Sequence, residues 1–383
     1  MVRIDAADFR SVPALALVPG EIVDEFGKRF GSGARAVVYR APGRVNLIGE
    51  HTDYNLGYVL PIALDMACYV AIAPASHACL RIYSRNLDQE FCIAVADLAN
   101  AKPTGQWSDY VVGVARELAA IEPCDLYIAS DVPAGSGLSS SAALEISAAV
   151  ALLGERVMEK VEIAKLGQRA ESQFVGMPCG IMDQYAAVFG YSGAALKIDC
   201  RSLEHEYVEL PSNVRIIAVN SLVKHELGTS AYRERVAECQ AAVAAIQKSD
   251  PDVKSLRDVT PEHFETIQDT IPSVPRRRAR HVISETQRVV DFSAAARKGD
   301  LREMGRLFVT SHRSMQHDYE ISCEEIDFLV DTAIELPGVY GARMTGGGFG
   351  GCTVNLVAPE DLETFQQRLA AAYQERYGKI PAF

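Results

Sequence analysis

The chain has 383 residues, 48% of them hydrophobic and 23% charged, the composition of an ordinary globular protein with a sizeable core, and its length predicts two domains. Lys plus Arg number 38 against 50 Asp plus Glu, a net charge of −12, so nucleic acid is excluded as an expected partner and an anionic ligand would need local help from helix N-termini, a few arginines or a divalent cation. Nine cysteines without a C-x-x-C pair suggest neither a zinc ribbon nor a disulfide framework, and a reducing compartment fits best.

Residues 1–20 carry two Asp and a short apolar patch broken by Pro13 and Pro19, unlike a signal peptide. No apolar run reaches the ~18 residues of a membrane span, so a cytoplasmic protein without a membrane partner is expected. Strands are predicted at Val37 to Arg40, Tyr58 to Ala73, Leu80 to Ser84, Phe91 to Val95 and Asp125 to Ser130, with a turn at Asn86, Leu87 and Asp88. Leu138 to about Val157 reads as a helix buried on most faces, and a second helix, from about Val161 to Phe174, ends at Gly176 and Pro178. A strand at Val214 to Asn220 follows, then helices near Tyr232 to Ile246, Arg276 to Ala296, Leu301 to His312 and Cys323 to Ile334. Strands at Val339 to Met344 and Cys352 to Val357 and an amphipathic helix after Pro359 complete the chain. Strands and helices mix without strict alternation, which predicts α+β. The polar stretch Arg201 to Ser212 is the expected boundary, giving domains 1–210 and 211–383.

Four segments carry chemistry. Pro133-Ala134-Gly135-Ser136-Gly137-Leu138-Ser139-Ser140-Ser141-Ala142 is a glycine-rich turn between a strand and the buried helix, an anion cradle suited to phosphate. It lacks the lysine of a Walker A loop, and a connection capped by serines is the plain alternative. Thr345 to Cys352 contains G-x-G-x-x-G, but a strand follows it, so the dinucleotide reading fails; five glycines there suggest a backbone pressed close to a ligand or to the first glycine-rich loop. Arg44 to Asn55 packs Glu50, His51 and Asp53 into four positions, a set of donors and acceptors suited to a polyol. Glu171 ends a helix, and Asp183 lies in the first turn of the next, where the dipole favours its ionised form. The basic run Arg276, Arg277, Arg278, Arg280 and His281 reads as a solvated face.

Taken together, these segments resemble the galactokinase family of the galactokinase, homoserine kinase, mevalonate kinase and phosphomevalonate kinase (GHMP) superfamily over nearly the whole chain. The resemblance implies an α+β, two-domain GHMP-type kinase with mixed sheets, a ligand cleft between the domains and a ferredoxin-like C-terminal domain. It implies ATP and Mg2+ as cofactors and ATP-dependent phosphorylation of the C1 hydroxyl of α-D-galactose; a monomer is the expectation, although no residue pattern speaks to oligomeric state. Matched by position, Asp183 is the catalytic carboxylate and Arg44 its partner; Glu50, His51, Thr52, Asp53, Gly180 and Tyr232 are sugar contacts. Gly135, Ser136, Gly137, Leu138, Ser139, Ser140 and Ser141 form the phosphate cradle, and Ser141 and Glu171 are the magnesium ligands. A kinase for N-acetylgalactosamine or L-arabinose, or a noncatalytic sugar and nucleotide sensor, are the alternatives; the intact Leu138 to Ala142 favours an enzyme.

Overall fold

The computed structural model describes residues 19–31, 36–224 and 228–383. The first half contains α1 (Pro19–Phe30), β1 (Val37–Asn46), β2 (Tyr58–Val59), β3 (Pro61–Pro74), β4 (Cys79–Ser84), β5 (Gln89–Ala94), α2 (Asp109–Leu118), β6 (Cys124–Ser130), α3 (Ser140–Leu153), α4 (Lys160–Arg169) and α5 (Met182–Phe189). The second runs through β7 (Ala194–Asp199), β8 (His205–Glu209), β9 (Arg215–Lys224), α6 (Gly228–Ile246), α7 (Pro261–Ile267), α8 (Ser273–Lys298), α9 (Leu301–Ser314), α10 (Glu324–Ile334), β10 (Val339–Thr345), β11 (Gly350–Val357) and α11 (Leu362–Tyr377).

The described residues pack as two compact units. One comprises the chain up to 44 with 63–134 and 139–190; the other comprises 45–62, 135–138 and 191–383. The division at 190/191 differs from the expected 210/211. Strands β7 and β8 form an antiparallel hairpin with Ala194 opposite Glu209 and Ile198 opposite His205, and β2 pairs with β7. The polar stretch after Asp199 is thus a turn followed by a mostly solvent-facing strand, which has the composition of a linker without being one.

The first unit is built on a five-stranded sheet in the order β1-β3-β6-β4-β5. Alternation decides its two faces. Tyr69, Ala71 and Ala73 of β3 and Tyr127 and Ala129 of β6 pack against Ile22 and Phe26 of α1, whereas the intervening Cys68 hydrogen-bonds Ser147 of α3. Helix α3 is shorter than the apolar run implied: Gly154, at φ 57°, ends it and Val157 is 89% exposed. The helix of α4 widens into a π turn over Ala170–Val175, ended by Gly176 at φ 85°; such bulges are frequent at functional sites, and this one carries Glu171.

The second unit contains an antiparallel sheet in the order β10-β11-β9, with Thr345 opposite Cys352 and Thr353 opposite Val219. Val219, Ala342 and Val357 of this sheet cluster with Leu329 and Ala333 of α10 and Phe365 and Leu369 of α11. A second core joins Cys239 and Ile246 of α6 to Val282 and Ile283 of α8 and to Met315, Tyr319 and Ile321. The basic run on α8 is not a solvated face: Arg278 and His281 are buried. Arg278 donates to Glu238 at 2.8 Å and to Glu320 at 2.6 Å, which lets its charge leave water. Helix α9 crosses β10 so closely that a Cβ on Gly305 would stand 1.8 Å from the Tyr340 carbonyl oxygen.

Candidate active site

In the first unit, β1 and the first turn of α5 bring together two residues 139 apart in sequence. Arg44 donates from Nε and Nη2 to the two carboxylate oxygens of Asp183 at 2.8 and 2.6 Å. The fork is bidentate, the strongest form of this pair. The Arg44 side chain is 5% exposed and that of Asp183 25%, so the carboxylate keeps a face to solvent. Ser139 supplies a third bond, its hydroxyl donating to Asp183 Oδ2 at 2.5 Å.

That bond changes the reading of the serine run. Ser139 occupies the N-cap position of α3 at φ 61° but makes no side-chain capping bond. Its hydroxyl is turned to Asp183, so no serine cap competes for the amides at the start of α3, which can receive an anion.

Behind Asp183 lies a buried acidic group. Gln184 donates to Glu145 at 2.8 Å and to Glu171 at 2.6 Å, and Ser141 hydrogen-bonds Glu171. Burial, reinforced by the charge of Asp183, raises the pKa of Glu171; burial and then the charge of Glu171 raise that of Glu145. Oε1 of Glu145 is buried without a partner. Gly180, also buried, lies between this group and Asp183 in sequence. Glu145 was not expected from sequence, although its signal was present as the one acid in an Ala-rich apolar helix.

In the second unit the Glu50 to Asp53 turn is held mainly by the protein itself. The Glu50 carboxylate accepts from the Gly346 amide at 2.5 Å and from Asn46. Thr52, fully buried, hydrogen-bonds through its hydroxyl to the carbonyls of Gly49 at 2.8 Å and Tyr58 at 2.6 Å. The ring nitrogens of His51 are bonded to the Tyr54 hydroxyl at 2.7 Å and to the Gly347 carbonyl at 3.2 Å. Asp53, half-buried, opens the 3-10 turn Asp53–Asn55. The Thr52 hydroxyl and both ring nitrogens of His51 are thus engaged with protein groups. Tyr232 stands against it, its ring centroid 5.0 Å from that of His51.

Two residues that sequence reading missed anchor the turn from behind. Glu285 of α8, fully buried, accepts from the Gly49 amide at 2.9 Å and from Ser311 at 2.7 Å. Burial alone would raise its pKa, but the guanidiniums of Arg288 and Arg343 hold it well below the usual carboxylate range. Arg343 of β10, also fully buried, donates to the Leu47 carbonyl at 2.6 Å. Burial, with the repulsion that a protonated His281 would exert, pushes His51 down to about 3, and burial pushes His281 down to about 4; both imidazoles are neutral at pH 7.

The second glycine-rich loop presses on the first. A Cβ on Gly351 would sit 2.9 Å from the Ser136 carbonyl and one on Gly346 3.0 Å from that of Gly137, at φ values of 80° and 90°, so glycine is required on both counts. Gly135, Gly137 and the 347–351 backbone line a cavity of about 230 Å³. A larger apolar cavity, about 570 Å³ beside the C-terminal end of α3, holds none of these groups.

Comparison with known proteins matches the galactokinase galactose-binding signature to residues 24–74, the GHMP kinases N terminal domain to 109–191 and the GHMP kinases C terminal domain to 292–375. A galactokinase of Roseiflexus sp. is 44% identical over 94% of this chain and 93% of its own. The chain belongs to the galactokinase family. Human galactokinase is 40% identical over 97% of this chain and 95% of its own. The Lactococcus lactis galactokinase, solved in complex with galactose, superposes with a TM-score of 0.91 at 33% identity over 95% of this chain and 96% of its own. A Methanococcus jannaschii mevalonate kinase, at TM-score 0.62 and 18% identity over 88% of this chain and 95% of its own, shares the fold. The match to the GHMP kinases N terminal domain ends at 191, beside the packing division at 190/191. Among the described residues no helix is long and apolar enough to cross a membrane.

Proposed function

We propose that the protein transfers the terminal phosphoryl group of ATP to the C1 hydroxyl of α-D-galactose. The observation that carries the reading is the Arg44–Asp183–Ser139 constellation, which ties a partly exposed carboxylate to the start of α3. Phosphoryl transfer asks mainly for positioning and charge stabilisation. Asp183 orients or accepts the C1 hydroxyl proton, and Arg44 fixes the carboxylate and offsets negative charge near the transferred group. Gly135 to Ser141 offer backbone amides to the phosphates in place of a Walker lysine. Asp53, Gly180 and Tyr232 contact the sugar, with Glu50, His51 and Thr52 framing the turn that presents Asp53.

The donor set fits magnesium. Ser141 and Glu171 are adjacent oxygen donors, and beside them the buried Oε1 of Glu145, a carboxyl that burial and Glu171 push toward its neutral form, is an oxygen acceptor without a partner; one carboxylate with substrate phosphates is a usual magnesium environment. Bound there, the ion would neutralise phosphate charge. The test is ADP release with a panel of sugars. Galactose should be used at least about 10²-fold more efficiently than glucose, because a misplaced hydroxyl leaves a polar group of the site unpaired. Equal kcat/KM for both sugars would sink the galactose assignment, better turnover of N-acetylgalactosamine or L-arabinose would reassign the substrate, and no ADP with any sugar would point to a sensor.

A further inference from the structure

The hairpin of β4 and β5 carries two cysteines that the reaction does not use. Cys79 is opposite Ala94 and Arg81 is opposite Cys92, so by the alternation of side chains both thiols stand on one face of the sheet, diagonally across from each other. They meet there: burial, and then a hydrogen bond with the Cys79 thiol, push the Cys92 thiol up to about 11. Cys92 is exposed on the edge strand of the five-stranded sheet and Cys79 is half-buried, whereas Cys68, Cys124, Cys200, Cys239 and Cys352 are buried.

Spacing decides what such a pair can hold. Diagonal neighbours in an antiparallel pair stand about 7–8 Å apart, past the ~7 Å beyond which a disulfide needs the backbone to move. One atom bonded to both sulfurs closes the gap without that movement, since two bonds about as long as the ~2.0 Å of a disulfide separate the sulfurs by roughly 3 Å. The bridging atom must be soft to prefer sulfur. It must need only two protein ligands, because no cluster of three His, Cys, Asp or Glu able to hold a metal occurs among the described residues. It must also leave no charge on the sulfurs, because the Cys92 thiol keeps its proton at pH 7. A monosubstituted trivalent arsenical, RAs(OH)2, meets all three conditions. We propose that Cys79 and Cys92 form a two-thiol modification site for trivalent arsenicals. Each thiol displaces one hydroxyl group from arsenic: an As–S bond forms, an As–O bond breaks, and the thiol proton leaves with the hydroxyl as water. Arsenic stays trivalent, sulfur is neither oxidised nor reduced, and the product is a neutral ring closed through arsenic. The second step gains from proximity, since the first bond holds arsenic beside the other sulfur.

Phenylarsine oxide is the probe, applied to the full chain and read by intact mass. One phenylarsenic group should survive excess glutathione, a monothiol, and be removed by 2,3-dimercaptopropanol, the behaviour of an arsenic held by two sulfurs at once. Cys79→Ser and Cys92→Ser should each lower that retention at least about tenfold, because a second attachment to the same arsenic multiplies its hold. Cys323→Ser, which removes a half-buried thiol on another element, should change nothing. The adduct should leave kcat within about twofold, since β6 runs about 20 Å from Cys124, opposite Leu80, to Ser130 before the phosphate loop begins. Arsenic on Cys179, whose thiol hydrogen-bonds Glu171, would instead suppress ADP release. An adduct that glutathione strips from the wild type, or that either serine variant on the hairpin retains in full, overturns the proposal. So does an arsenic-dependent loss of ADP release that persists in Cys79→Ser. The wild-type contrast between monothiol and dithiol needs no variant and stands whether or not galactose is the substrate.

Discussion

Asp183→Asn is the most direct perturbation of the site, and its consequences divide into two measurable parts. The carboxylate accepts three bonds, two from Arg44 at 2.8 and 2.6 Å and one from Ser139 at 2.5 Å. An amide preserves one acceptor and turns an N–H₂ toward a donor, so at least one of the three bonds becomes a donor facing a donor. Removing the group that orients or takes the hydroxyl proton should lower kcat by about 10² or more. The stability loss arises from Arg44, which is left buried with an incomplete partner. For a fully enclosed pair that loss would be about 3–5 kcal/mol; with Asp183 one-quarter exposed, solvent screening reduces it to roughly 1–3 kcal/mol. Coupled ADP release measures kcat, calorimetric titration measures galactose affinity, and thermal unfolding measures the third quantity. The expected outcome is a large kcat loss, galactose affinity within about threefold, because a residue acting in the transition state contributes little to ground-state binding, and a lowered Tm. Near-normal kcat would refute the role given to Asp183, and an unchanged Tm would refute the account of Arg44 as a charge that depends on it.

Acidification should destabilise the fold before most carboxylates titrate. His51 and His281 have folded values of about 3 and 4 against about 6.5 unfolded, so the unfolded state binds more protons as pH falls below 6.5. Their contribution is complete above that pH and erodes down to about pH 4 for His281 and about pH 3 for His51, the loss amounting to about 2 kcal/mol per histidine by pH 5; denaturant midpoints that stay flat from pH 7 to 5 would contradict it. For the magnesium ligands, Glu171→Gln should raise the free magnesium needed for half-maximal ADP release by about tenfold or more, and an unchanged titration would remove Glu171 from the metal. Gly305→Ala should lower Tm by an amount equivalent to about 1–3 kcal/mol, the usual effect of overpacking, with kcat unaltered; a wild-type Tm would show that α9 and β10 can part without loss.

What could be read from the sequence was local. The alternation of β4 and the glycine that ends the π turn announce themselves because period and punctuation are properties of neighbouring residues, whereas the stop at Gly154 was hidden by the apolar run that continues past it. Asp183 was legible at a helix start, but its Arg44 partner was not legible from spacing, since 139 positions separate them; family resemblance supplied that pairing. The serine run left a capped connection open beside the anion cradle because a cap and a donor to a carboxylate are the same residue type at the same place. Glu145, Glu285 and Arg343 were passed over for one shared reason. Each is a charge that the fold buries, in elements as different as the apolar α3 and the polar α8, and only the fold shows which opposite charge or amide it meets. The run on α8 failed in the other direction, since consecutive arginines look solvated until Glu238 and Glu320, distant in the chain, are seen to receive one of them.

The Gly49 and Gly346 amides have a consequence for how the protein breathes. Both belong to irregular segments, yet each donates to a buried carboxylate rooted elsewhere, Glu285 and Glu50 respectively. Neither proton can meet solvent by the fraying that releases ordinary loop amides; the carboxylate must first be stripped of its own partners, including Arg288 at 2.6 Å. Exchange with heavy water at these glycines should accordingly follow the slow, large-scale opening of helix α8 and strand β10, giving two loops the protection factors of core helix and sheet.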